Sequence, residues 1–328
     1  MREARIKVDP DRGEAVYHCI SKTVNGEKLF DDTCKEVFRR QLWLLAEFCG
    51  LQIVTYAIVT NHFHILVRVP FRTPVPDQEL LRRYGLLYPK PTKYRAAQLA
   101  VIRSQLASDG PAAVEWRRRL GSLMGDVSPF MKLLKQRFSI WYNKAHRRFG
   151  PLWSQRFTSV LIDPARAVTE TIAAYNDLNP VRANLVADPK DYRFCGYGEA
   201  VAGHTAARAG LCSLSPGLSW QQRQAEYRQV LYGTGAAVRT RGRPIDLAAF
   251  QRVMKERGRL TLTEVLHCRI RHFTHGAVLG SRAFVLTHLE AYRRKTGRRE
   301  RTAPRPLPDP GPLGALFTLR GLRRRATS

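Results

Sequence analysis

The sequence predicts an α+β fold, an antiparallel sheet covered by helices, and three observations carry that prediction. Residues 15–22, 53–59 and 62–69 alternate apolar and polar side chains or run apolar over strand length. The second and third of these are joined by only Thr60-Asn61, a connection short enough to make them antiparallel neighbours. Between and after them, Val37, Phe38, Leu42, Leu45 and Phe48, and then Phe130, Leu133, Leu134, Phe138, Trp141 and Tyr142, recur at helical spacing.

Taken in order, the first strand (15–22, AVYHCISK) is followed by turn chemistry at TVNGEK and then by a helix over 32–48, stopped at Gly50. Two strands follow, 53–59 and 62–69. From about residue 71 to 127 prolines and basic, Ala-rich stretches read as an insertion. Ser128-Pro129 has the form of a cap followed by a first-turn proline, which predicts a helix from there to about Arg148. TSVLI (158–162) reads as a strand, and Asp163-Pro164 starts a helix running to about Leu178. Because a residue before proline resists helical geometry, Asn179 is expected to end that helix and cap a short one through Leu185.

The domain organisation expected from this pass is a first domain over 1–200, a helical accessory region over 201–292 and a disordered cationic tail over 293–328. Residues 262–268 and 280–292 look like two helices, reminiscent of a helix-turn-helix but equally readable as a generic helical pair. The tail is Arg- and Pro-rich, a composition that cannot bury a core and that binds nucleic acid without reading its sequence.

Charge narrows the partners. The chain has 328 residues, 55 Lys and Arg against 27 Asp and Glu, and a formal net charge of +28. A polyanion is the natural partner of such a chain, and nucleic acid heads the list. A membrane is disfavoured because the cations are spread along the chain, and the one uncharged stretch, 48–67, contains Gln52, Asn61, His62 and His64. With no apolar run at the N-terminus to act as a signal peptide, a cytoplasmic, nucleoid-associated protein is expected. Six scattered cysteines form no Cys-x-x-Cys pair and read as small core residues, not as a thiolate zinc site.

Two segments carry side chains capable of chemistry. In NHFHILVRV, His62, His64, Leu66 and Arg68 share one strand face while Phe63, Ile65, Val67 and Val69 share the other, expected to be the core face. Imidazoles at i and i+2 are spaced to hold one divalent cation, although such a pair is also ordinary on a wetted strand face. Tyr175 lies on an apolar helical stripe with Val168, Ile172 and Leu178, a position that suits a core tyrosine. Asn179, four residues on, places an amide on the same side of the helix. Lys132, Arg137, Arg156 and Arg182 are basic side chains on or beside these segments that could follow a phosphate backbone. Trp153 reads either as a stacking platform for an unpaired base or as packing under a turn.

Four stretches, YHCISK (17–22), TNHFHILV (60–67), GPLWSQRFTSV (150–160) and YNDLNPVRANLV (175–186), occur in an order that resembles the REP-associated tyrosine transposases and, more widely, the single-tyrosine HUH transposases. The resemblance covers about residues 14–200. It implies a ferredoxin-like sheet, His62 and His64 as ligands of Mg2+ or Mn2+, Tyr175 as the nucleophile, and Asn179 as a third, amide ligand. It also implies single-stranded or hairpin DNA as substrate, cut through a 5′-phosphotyrosine; both a monomer and a homodimer are compatible with it. Val59-Thr60 stands where the family usually has Met-Pro, Asn184 replaces a common Gly, and Thr158 a common Lys. The alternatives are a DNA-binding regulator or architectural protein that keeps the fold without cutting, and a metal phosphodiesterase that uses water.

Overall fold

The computed structural model describes residues 5–89, 94, 97–186, 188–235, 278–296, 303–306 and 317–319. β1 (Ala15–Lys22) leads through α1 (Asp32–Cys49) to the hairpin of β2 (Gln52–Ile58) and β3 (His62–Val69). The stretch expected as an insertion holds α2 (Asp77–Leu87), α3 (Leu99–Ser108) and α4 (Pro111–Gly121). Then come α5 (Val127–Ala145), β4 (Thr158–Ile162), α6 (Arg166–Asp177) and α7 (Asn179–Arg182). After these lie α8 (Gly196–Val201), α9 (Thr205–Cys212), α10 (Trp220–Gly235), β5 (Val278–Gly280), α11 (Arg282–Thr296), β6 (Arg305–Pro306) and β7 (Phe317–Thr318).

This is a mixed α+β fold. The described strands form one sheet in the order β2-β3-β1-β4-β5-β7-β6. β1 lies antiparallel between β3, with Cys19 opposite Ile65, and β4, with Cys19 opposite Ser159. β2 is antiparallel to β3 with an irregularity between Ile53 and Thr55, and β5 runs parallel to β4.

One face of the sheet is largely apolar. α1 is capped by Asp31, whose carboxylate accepts from the Cys34 amide at 2.7 Å, and stopped by Gly50 at φ 66°. Its buried stripe includes Phe38, Leu42, Leu45 and Phe48. Phe38 stands 4.6 Å from Phe63 of β3 and 5.1 Å from Phe138 of α5, ring centre to ring centre, so α1 and α5 cover the Phe63 face together. Trp153 joins them, its indole N–H donating to Ser139 Oγ at 2.7 Å, which settles its two readings in favour of packing.

Several boundaries differ from expectation for local reasons. α5 begins at Val127 because Asp126, not Ser128, is the cap: its carboxylate accepts from the Ser128 amide at 2.7 Å. It ends at Ala145, since Arg147 has φ 49° and cannot continue a right-handed helix. Asn179 caps nothing. It is the first residue of α7, following Leu178 in helical geometry, and its amide nitrogen donates back to the Tyr175 carbonyl at 3.0 Å. Pro180 has no N–H for the carbonyl four residues back, so the helix breaks there without Asn179 leaving helical space.

Beyond residue 200 the chain adds to the same layers. α9 packs on β2, α10 packs on α6, and β5 extends the sheet from β4. Of the tail expected to be disordered, Arg293–Thr296 completes α11, and Arg305–Pro306 and Phe317–Thr318 pair as strands. The helix expected over 262–268 lies outside the described residues, as does most of the tail. Among the described residues no helix is long and apolar enough to cross a membrane; residues 48–67 are the end of α1 followed by the hairpin.

Candidate active site

Alternation along β3 and its register with β1 assemble the site. His62 pairs with Lys22, His64 with Ile20 and Leu66 with His18, so His18, Ile20 and Lys22 share a face with the two histidines. That face is not the wetted one its imidazoles suggested. α6 lies across it, against β2 and β3, leaving His64 only 4% exposed and His62 half-buried. The physical reason is that the sheet is a middle layer: α1 and α5 cover one side and α6 the other, so polarity on β3 marks a site and not solvent.

Both imidazoles are held by their Nδ1 atoms. His62 Nδ1 lies 2.7 Å from Asn61 Oδ1. The Asn61 amide nitrogen is committed to the Gly26 carbonyl at 2.9 Å, so its oxygen faces the ring and can only accept. His62 therefore carries its proton on Nδ1 and keeps the Nε2 lone pair. His64 Nδ1 lies 3.1 Å from His18 Nε2, and the two rings stack at 5.2 Å. When His64 donates in that pair, its Nε2 is also a lone-pair donor. Burial, with the neighbouring charge of Lys22, pushes His62 down to about 4. Burial also pushes His64 well below its ordinary value, helped by His18, His62, Arg182 and Lys22. Both rings are neutral at pH 7.

Tyr175 reaches this pair from α6. Its ring stands edge-on to His64 at 5.5 Å and to His18 at 6.0 Å, and His62 is 5.1 Å from His64. Arg182 sits over the tyrosine ring, its guanidinium carbon 4.6 Å from the ring centre, and donates to the Tyr175 carbonyl at 3.2 Å. Tyr175 is 7% exposed. Burial raises its pKa, while the Arg182 charge and a hydrogen bond from Asn179 pull the other way.

The four expected DNA contacts divide. Arg182 belongs to the site. Lys132, exposed, and Arg137, half-buried, lie on α5 and so on the opposite side of the sheet, and Arg156 is exposed just before β4.

Three side chains at this face were not picked out from the sequence. His18 lies in the YHCISK strand, but its partner His64 is distant in sequence, and alternation within one strand does not show what stands opposite. Asp177 is fully buried and accepts from Thr55 Oγ1 at 2.9 Å, Tyr227 Oη at 2.7 Å and the Tyr197 amide at 2.9 Å. It ties α6 to β2, α8 and α10, and burial raises its carboxyl to about 6. Gly196 lets α8 approach that junction, because a Cβ there would overlap Thr55 Oγ1. Asn176, also fully buried, has no hydrogen-bond partner for either amide atom among the described residues.

The donor set fits a divalent cation. Two neutral imidazoles on adjacent positions of one strand face, His62 with its Nε2 open and His64 likewise when its Nδ1 carries the proton, are what a borderline metal ion takes from a protein. Asn179 begins α7, its amide nitrogen turned to the Tyr175 carbonyl. Among the described residues no group of three or more His, Cys, Asp and Glu is placed to hold a metal ion, at this face or elsewhere.

No family model matches the chain, and no curated protein does. A solved structure of a REP-associated tyrosine transposase bound to a REP hairpin is similar, with 14% identity and a TM-score of 0.39, covering 62% of this chain and 87% of that one. So low a score transfers no residue from one chain to the other. The functional case rests on the side chains.

Proposed function

We propose that this chain is a DNA-nicking and joining enzyme of the single-tyrosine HUH kind, a transposase acting on single-stranded or hairpin DNA. The observation that carries it is the packing of Tyr175 against His64, in one cluster with His62 and Arg182. The order β2-β3-β1-β4, antiparallel at each step, supports the ferredoxin-like arrangement that the motifs imply.

His62 and His64 through Nε2, and Asn179 through its amide oxygen, would hold Mg2+ or Mn2+, which when bound supplies Lewis-acid polarisation of a non-bridging phosphate oxygen. Tyr175 is the nucleophile. Its Oη forms a bond to phosphorus as the P–O3′ bond breaks; the phenol proton goes to solvent, and the departing oxygen takes up a proton to become a 3′ hydroxyl. Arg182, over the ring, offsets the charge that gathers on the phenol and the phosphate. The product is a 5′-phosphotyrosine. Attack by another 3′ hydroxyl reverses the step on a different end, so strands are joined without ATP.

A second reading, a DNA-binding protein that does not cut, is favoured by one observation: a phenol this buried attacks nothing until α6 and α7 shift. The two separate on a hairpin oligonucleotide labelled at its 3′ end and incubated with Mn2+. Wild type is expected to carry the label through denaturing gels, whereas Tyr175→Phe or added chelator leaves none, with DNA binding retained. Binding without any adduct supports the second reading, and cutting without an adduct points to activated water instead.

A further inference from the structure

Lys22 is the last residue of β1 and pairs with His62 across the ladder. Side chains so paired have Cβ atoms about 4.5–5.5 Å apart, so the lysine leaves the sheet beside that imidazole, and its charge acts on it. The backbone beneath it is fixed from both sides. Its carbonyl accepts from the Ser154 amide at 3.1 Å and Ser154 Oγ at 3.3 Å, and the next residue, Thr23, donates its amide to Asn61 at 2.9 Å. The side chain itself is exposed, and among the described residues its ammonium has neither hydrogen-bond nor ion-pair partner. β1 is an interior strand, so this is not a charge guarding a sheet edge.

Position along the face gives the lysine a role. Tyr175 stands against His64 and His18; His62 comes next, and Lys22 lies across from His62. Phenol and ammonium therefore bracket the imidazole pair from opposite ends. Displacement at a phosphodiester proceeds in line, so the leaving oxygen departs on the side away from the nucleophile. A phosphate seated on the histidines and attacked by Tyr175 turns its O3′ toward Lys22.

We propose that Lys22 serves the leaving group of the cleavage reaction, an assignment that rests on the cleavage reading above. As the Tyr175 Oη–P bond forms and P–O3′ breaks, the bond's electron pair goes to O3′. The Lys22 ammonium hydrogen-bonds to that oxygen and hands it a proton, giving the 3′ hydroxyl and a neutral amine that is reprotonated from solvent.

A sulfur-bridged substrate tests this, because a thiolate leaves without needing a proton. The full chain, Lys22→Ala and Lys22→Gln are compared in single-turnover adduct formation on a hairpin oligonucleotide whose cut site is mapped with wild type. The scissile linkage carries either O3′ or S3′. Both variants are expected to be slowed about 10²-fold on the oxygen substrate, the usual size of a general-acid contribution, and to run close to wild type on the sulfur substrate. Binding measured by fluorescence anisotropy is expected to stay near wild type. Equal slowing on both substrates, or no slowing on either, overturns the assignment. Absence of adduct from wild type on both refutes the cleavage reading itself, and the role of Lys22 with it.

Discussion

The two faces of the central sheet are built on opposite principles. On the α1 and α5 side, Phe38, Phe63, Phe138 and Trp153 interlock as rings, with the Trp153 indole N–H donating to Ser139 Oγ at the rim. On the α6 side, His18, His64, Asp177 and Asn176 are buried among apolar residues. Burying polar groups costs stability unless each finds a partner, and one of these finds none. The first face holds the fold together, while the second spends part of that stability on a fixed constellation of imidazole, phenol and cation.

Removing a ring from the apolar face has the largest expected effect. Phe38→Ala should cost about 3–5 kcal/mol, the usual range for an aromatic deleted from a core, read as a lower urea midpoint at unchanged slope. A loss below about 1 kcal/mol contradicts the division of labour, because large deletions from a packed core do not come so cheaply.

Asp177 sharpens the comparison through pH. Its carboxyl is raised from 3.8 to about 6, chiefly by burial. Between those values the folded protein keeps a proton that the unfolded chain has given up. Its contribution is therefore fully present below 3.8 and lost as pH rises through about 6. Asp177→Asn should flatten this part of the stability profile, so that the difference between variant and wild type changes across that window and is level on either side. A difference that does not vary with pH would mean the carboxyl titrates alike folded and unfolded.

The smallest effect is expected at Asn176. Replacing its unpartnered amide with a side chain of similar size, Asn176→Leu, should raise stability by about 1 kcal/mol, since an unsatisfied buried group costs about that or more. A loss of similar size would show that the amide has a partner in solution.

The same contrast explains what could be read from the sequence. The bounds of β1, β3 and β4 follow from alternation and β-branched runs, and coincide with expectation. The apolar face was legible because the spacing of apolar residues at 38, 42, 45 and 48 and at 130, 134 and 138 is helical. The imidazole face was legible as a set, not as an environment. Alternation tells which residues share a side, but only the tertiary fold lays α6 over that side and turns two seemingly wetted histidines into a half-buried and a buried one. His18 and Lys22 escaped notice for a related reason: their importance comes from lying opposite Leu66 and His62, and ladder register is absent from a one-dimensional pattern. Asp177 owes its role to Thr55, Tyr197 and Tyr227, which converge on it from three other elements.

Peptide mass spectrometry of the protein after incubation with Mn2+ and hairpin DNA, followed by nuclease trimming, tests the central claim most directly. The account predicts a nucleotide 5′-phosphate mass on the peptide containing Tyr175, absent when His64 is replaced by Ala. The same mass on a different tyrosine, or on the Tyr175 peptide of His64→Ala at wild-type yield, would contradict it.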